Sequence, residues 1–266
     1  MMNQNDRSRQ DRHIALYTSA DHPCSYLDDR LARTLFVDPT IRVDSATYQA
    51  LIDQGFRRSG THVYRPACNG CNECVPVRVP VERFVPNRSQ RRNWKSNAPE
   101  ILLRERPAEF DAEHFALYRR YLERRHPDGG MAEDATEESY RRFLVDPWGG
   151  QTRFVELRLD ARLVGVAVTD VLKRGLSAVY TFFDPELSAR APGTFAVLAQ
   201  IELTRRVGLP YLYLGYCISD SRKMAYKTHF RPVEAWNGQE WRPLCNEKGR
   251  VTKRPAAHRR NGNGLE

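Results

Sequence analysis

Residues 176–184 (Leu-Ser-Ala-Val-Tyr-Thr-Phe-Phe-Asp), 190–195 (Arg-Ala-Pro-Gly-Thr-Phe) and 211–216 (Tyr-Leu-Tyr-Leu-Gly-Tyr) are the stretch on which the fold turns. They predict a strand, a helix over 194–207 that stops at Gly208, and a second strand too apolar to lie at an edge. Working outward, 153–159 and 163–172 read as two further strands after Gly149-Gly150. Phe110, His114, Phe115, Leu117, Tyr118, Tyr121 and Leu122 fall on one helical face, and Thr136 caps a second helix through Tyr140, Phe143 and Leu144 that Pro147 stops. A helix over 221–229 and a strand over 233–236 close the series.

Two helices, three strands, helix, strand, helix, strand is an α/β order. It fits an acetyltransferase-like (GNAT) C-terminal domain over 98–245, in which a partly parallel sheet splays to leave a cleft between adjacent strands. Before it, 13–97 reads as a smaller α+β domain containing cysteines. There Asp44 or Ser45 caps a helix through Tyr48, Leu51 and Ile52 that ends at Gly55, and strand-like segments over 57–65 and 75–84 flank a cysteine knuckle. Residues 246–266 are rich in Gly, Asn and Arg without periodicity, and are expected to form a basic disordered tail.

The 266 residues suffice for two modest domains. A formal charge of +9, from 42 Lys+Arg against 33 Asp+Glu, implies an acidic partner such as nucleic acid. No apolar run approaches the roughly 18 residues of a membrane span, and residues 1–12 are polar, so no membrane association and a cytoplasmic location are expected. In that reducing setting closely spaced thiols bind metal more often than they form disulfides.

Cys68, Cys71 and Cys74 repeat at C-x2-C-x2-C spacing, and Cys24 is a distant fourth. Four thiolates suit zinc or an iron–sulfur cluster; alternatively they are reduced small residues that pack. Cys217 and Cys245 read as packing residues. Beyond the knuckle, Arg88, Arg91, Arg92 and Lys95 with Ser89, Gln90 and Trp94 combine guanidinium forks, neutral donors and a stacking ring, a mixture that suits a phosphate backbone. Arg190 and Gly193 partly match the turn that holds a coenzyme A pyrophosphate, but Phe195 sets a bulky ring where backbone must approach phosphate. Lys223 and Lys227, four apart with Tyr226 nearby, suit an anion at the cleft mouth.

Taken in order, Cys24-Ser-Tyr-Leu27, Tyr64-Arg-Pro66, the knuckle with Val75-Pro-Val-Arg78, Phe84-Val-Pro-Asn-Arg-Ser-Gln-Arg-Arg92, Tyr180-Thr-Phe-Phe-Asp-Pro185, Tyr213-Leu-Gly-Tyr216, Lys223-Met-Ala-Tyr-Lys227 and Phe230-Arg-Pro-Val-Glu234 resemble the arginyl-tRNA–protein transferase family, in its bacterial aspartate/glutamate leucyltransferase branch. The resemblance implies an aminoacyltransferase of the N-degron pathway that moves leucine from leucyl-tRNA to the α-amine of proteins beginning with Asp or Glu. On that footing Arg88, Gln90, Arg91, Arg92 and Lys95 bind tRNA, Gly193 and Thr194 line the turn before the long helix, and Lys223, Tyr226 and Lys227 position the acceptor arm. Asp184 either accepts a proton from the attacking amine or caps a loop, Asp-Pro being a turn signal. Tyr180 and Tyr216 donate to the developing oxyanion. Arg78, or else Arg65 or Lys223, meets the acidic side chain. No cofactor is required for the transfer, although the four cysteines retain the metal reading. Three alternatives stay open: arginine as donor, a coenzyme-A-dependent N-acetyltransferase, and a metal-stabilised RNA-binding module without catalysis.

Overall fold

The chain builds its largest element from strands far apart in sequence. The computed structural model describes residues 14–125 and 135–244, apart from the side chains of Arg222 and Lys223; the expected tail lies outside the described residues. In chain order the elements are β1 (Leu16–Thr18), β2 (His22–Pro23), β3 (Leu31–Ala32), β4 (Thr34–Val37), α1 (Ser45–Asp53), β5 (Arg57–Ser59), β6 (His62–Pro66) and β7 (Val75–Pro80). Next come α2 (Arg88–Asn97), β8 (Ile101–Pro107), α3 (Ala112–Arg125) and α4 (Glu137–Tyr140), the last continued by a wider turn over Arg141–Val145. Then follow β9 (Gln151–Leu159), β10 (Arg162–Leu172), β11 (Gly175–Phe183), α5 (Pro192–Arg206), β12 (Tyr211–Cys217), the short α6 (Arg222–Ala225), β13 (Glu234–Trp236) and β14 (Trp241–Pro243).

Eight strands form one sheet in the order β14-β13-β7-β12-β11-β10-β9-β8, and β1-β4-β6-β5 form a smaller one. This is a mixed α/β protein with a larger C-terminal sheet domain and a smaller N-terminal α+β unit. Every neighbour pair in the large sheet is antiparallel except β11 with β12. Parallel neighbours need a crossover, and α5 supplies it. β7, from the N-terminal half, lies between β12 and β13, so the sheet crosses the boundary expected between 97 and 98.

Side chains on alternate faces of β10 set two cores. Val164 and Ala167 pack with Phe195, Leu198 and Ile201 of α5, whereas Val166 and Val168 pack with Leu117, Tyr118 and Leu122 of α3. A third core joins Tyr48, Leu51 and Ile52 of α1 to Trp148, Leu172 and Tyr213. Asp44 caps α1 as expected, accepting from the Thr47 amide at 2.7 Å, and Gly55 ends it at φ +82°. The N-terminal unit is bolted on by Arg58, which holds Asp170 of β10 through two hydrogen bonds of 2.8 and 2.6 Å, both side chains being almost wholly buried.

Candidate active site

The parallel pairing of β11 with β12 lasts for three residues, from Gly175↔Tyr211 to Ser177↔Tyr213, and then stops. The register of β11 on β10 runs Thr169↔Ala178 and Val168↔Tyr180, leaving Val179 as a bulge at the point of divergence. On the other side β12 bulges too: Tyr213 faces Arg78 and Gly215 faces Val77, with Leu214 left over. Two bulges on facing strands open a gap in the middle of the sheet, its lips being 179–183 and 215–217.

Into this gap comes Arg57, carried on β5. Its Nη2 donates to the Val179 carbonyl, and the guanidinium passes over Gly215, where any Cβ would overlap it. Gly215 sits at φ +73°, so glycine serves both the bulge and the clearance. Lys227 enters after β12 and donates 2.6 Å to the Tyr216 carbonyl. It is buried, and desolvation first, then the nearby Arg57 charge, brings its ammonium down to about 7. Tyr64, opposite Arg57 in the β5–β6 hairpin, lies 6.2 Å from the Tyr216 ring. Tyr226 stands at the mouth, 42 % exposed. The Tyr180 hydroxyl is buried without a hydrogen-bond partner, and desolvation raises its pKa.

The other expected site residues are placed as follows. Arg88, Arg91, Arg92 and Lys95 are exposed on α2. Gln90 is not: its amide completes the capping box with Asn87 and donates to the His229 carbonyl at 3.2 Å, because a buried amide must be satisfied. Trp94 packs on Phe195 at 5.4 Å between ring centroids, which explains the bulky residue at that turn. Asn93 and Asn97 reach the Arg190 carbonyl at 2.9 and 3.1 Å, setting the basic face of α2 beside the turn into α5. Gly193 and Thr194 are half-buried in that turn, Gly193 lying over the Phe183 ring.

Arg78 is away from the gap. It is paired with Glu234 at 2.9 Å, lies 3.6 Å from Asp53, and is sandwiched between the Tyr211 and Trp241 rings at 3.6 and 4.4 Å, so its charge is already met. Arg65 stacks on Phe56 at 4.9 Å. Asp184 accepts from the Glu186 amide at 3.0 Å and from Arg162 at 2.7 Å, the loop-capping reading of this residue. The Tyr216 hydroxyl donates toward the Gly55 and Tyr64 carbonyls at 3.0 and 3.2 Å and staples the N-terminal unit to β12. Lys223's side chain lies outside the described residues.

Cys24, Cys68, Cys71 and Cys74 are free and half-buried. The Cys74 thiol is pushed up to about 12 by burial and then by Cys68, Cys24, Cys71 and Glu73, so the four sulfurs share one neighbourhood. That neighbourhood adjoins the gap: Cys74 also raises the pKa of Tyr216 and Tyr26. Four soft donors suit a soft metal in kind, but Cys68 is engaged with the Arg33 backbone and Arg30 Nη1 lies 3.5 Å from Cys71 Sγ. Among the described residues no three Cys, His, Asp or Glu are arranged to hold a metal ion. The placement does not fit such a group. No helix among the described residues is long and apolar enough to cross a membrane.

Sequence reasoning missed Arg57. The available signal was the pair Arg57-Arg58 in a short strand between apolar Phe56 and Val63, since half-buried guanidiniums require partners.

Residues 22–92 match the profile described as arginine-tRNA-protein transferase, N terminus, and 113–237 the profile described as its C terminus. The aspartate/glutamate leucyltransferase of Hahella chejuensis is 49 % identical over 230 residues, covering 86 % of this chain and 97 % of that one. Its namesake from Stenotrophomonas maltophilia is 49 % identical over 243 residues, covering 89 % and 96 %. Of solved structures, L-PGS from Bacillus licheniformis is 13 % identical with a TM-score of 0.40, covering 65 % of this chain and 49 % of that one.

Proposed function

Because this chain belongs to the arginine-tRNA-protein transferase family, we propose that it is an aminoacyltransferase that moves leucine from leucyl-tRNA to the α-amine of proteins beginning with Asp or Glu, marking them for degradation. The observation that carries the reading is likeness to named leucyltransferases along nearly their whole length. The splayed sheet supplies a place for the chemistry. Four antiparallel strands, a crossover helix, and a parallel partner that diverges at a bulge support the acetyltransferase-like (GNAT) reading of a domain taken to span 98–245, with 13–97 as the unit that delivers Arg57.

The donor ester is already activated, so the work left to the protein is placement and deprotonation. An unperturbed α-amine, with a pKa of about 7.7–8.0, is partly neutral at pH 7. No cofactor is needed for such a transfer. Arg88, Arg91, Arg92 and Lys95 meet tRNA phosphates on the outer face of α2, and the α5 turn with Gly193 and Thr194 lies beside the path from that face to the gap. The unpartnered hydroxyl of Tyr180, set among the rings of Tyr118, Tyr121 and Phe143, supports its reading as a donor to the oxyanion. Tyr226 and Lys227 border the aminoacyl end. The reaction consumes charged tRNA, which supports a cytoplasmic location.

Incubating a Glu-peptide with a mixture of charged tRNAs and weighing the product tests the proposal. A gain of one leucyl residue is expected. A gain of arginine would redirect the donor, and no gain would overturn the transfer reading.

A further inference from the structure

Arg57 and Lys227 come from opposite halves of the chain and stop at the same gap. Each caps a carbonyl on one lip: Arg57 that of Val179 on β11, Lys227 that of Tyr216 on β12. Among the described residues neither has a carboxylate partner. Its sequence neighbour Arg58, by contrast, is saturated by Asp170. Arg57 is half-buried beside the Tyr64 and Tyr216 phenols, and its charge reaches Tyr26, Tyr216, Tyr226 and Lys227. A half-buried guanidinium left with spare donors is suited to take an anion.

The position restricts which anion. The α-amine and the side-chain carboxylate of an N-terminal Asp or Glu belong to one residue and lie within about 4–6 Å of each other by covalent geometry. A cation that reads the carboxylate must therefore sit at the reacting centre itself. Arg78, already paired with Glu234 and Asp53, cannot. Phosphates of the donor RNA have the exposed α2 face to meet.

Resting on the leucyl-transfer reading, we propose that the acceptor's first residue docks across these two side chains, its carboxylate on Arg57 and its ammonium proton passing to Lys227 Nζ. Lys227 is suited to the second task because burial and Arg57 favour its neutral form, while Cys217 works in the other direction. Its other neighbours are neutral: the Tyr216 carbonyl, Met224 Sδ at 3.5 Å and the Tyr226 ring at 6.0 Å. A carboxylate arriving on Arg57 offsets the guanidinium charge and makes Lys227 a better proton acceptor, so an acidic acceptor promotes its own deprotonation. The neutral amine then attacks the leucyl carbonyl and forms the C–N bond. As the C–O bond to the tRNA 3′ end breaks, the second amine proton goes to the departing oxygen, and Lys227 returns its proton to solvent.

The test uses full-length protein, leucyl-tRNA and peptides identical except for a first residue of Glu or Gln. Arg57→Gln is expected to bring the Glu-over-Gln ratio of kcat/KM down about 100-fold, with Arg57→Lys intermediate, at a loss of about 10-fold. If Arg57→Gln does not fold, as judged by leucyl-tRNA binding, the ratio is read on Arg57→Lys. A ratio equal to the wild type's in the folded variant overturns the proposal. So does a weakened tRNA affinity with a preserved ratio, which would assign the guanidinium to an RNA phosphate. Lys227→Arg keeps the charge and the donor to Tyr216 but cannot give up a proton. Its kcat should drop about 100-fold with KM held within about three-fold; an undiminished kcat overturns the base role. Wild-type protein that transfers no leucine to the Glu-peptide would instead defeat the functional reading itself.

Discussion

Two groups of cations serve this chain on opposite terms. Those on α2 (Arg88, Arg91, Arg92 and Lys95) are exposed to water, so each is screened and individually weak, and in the proposed reading they act by number on a repeating polyanion. The others, the adjoining Arg57 and Arg58 of β5 with Lys227, are removed from water to differing degrees. There every charge must be answered, and the manner of the answer separates the roles. Arg58 is answered within the protein by Asp170, which makes it a bolt, whereas among the described residues Arg57 and Lys227 meet carbonyls and a thioether but no carboxylate, which leaves them open to a ligand. Burial without an acid partner distinguishes a site from a strut.

The largest expected effect breaks the bolt. Arg58→Ala leaves Asp170 charged and buried against Thr152 alone, and should destabilise the fold by about 3–5 kcal/mol in urea unfolding. A loss under 1 kcal/mol would mean that the two halves are held together some other way. Next, reversing the charge of both Arg91 and Arg92 should weaken tRNA binding by roughly 10–100-fold at low salt and reduce the slope of log affinity against log salt by about two, one for each lost phosphate contact. An unaltered slope would remove α2 from the RNA interface.

A pH series sharpens the contrast between open and closed cations. Lys227 has its folded pKa lowered from 10.5 to about 7, so between those values the folded chain binds fewer protons than the unfolded one. Its contribution to stability therefore rises with pH across that window, by at most about 1.4 kcal/mol per pH unit, and its penalty is complete below pH 7. Lys227→Met should flatten that rise. If chemical denaturation follows the same pH curve for both proteins, the lysine is charged in the fold. The smallest effect concerns Gln90→Ala, which opens the α2 capping box at a cost of about 1 kcal/mol while leaving the tRNA salt slope as it was.

The sequence made the catalytic sheet legible because β9, β10, β11, α5 and β12 are long and strongly patterned. It was less informative about α2, whose polar residues look like a charged run until Asn87, Asn93 and Trp94 are seen to dock it, and about β8, an edge strand mixing Leu102 with Arg104 and Arg106. Site legibility divided in the same way. Lys227 and Tyr180 belong to segments that adjoin the gap in sequence as well as in space. Arg57 precedes Val179 by 122 positions, and no local pattern encodes a pairing at that separation. Arg78 looked suitable because it follows the cysteines, but Glu234 and Asp53 already meet its charge.

Strand β7 leaves the ribosome long before β12, against which it must pair, since Arg78 is matched with Tyr213 roughly 135 positions later. At about 5–20 residues per second the nascent chain spends on the order of ten seconds with β7 lacking that neighbour. Throughout synthesis Val77 and Val79, destined for the deepest interior, are therefore a ready target for chaperones.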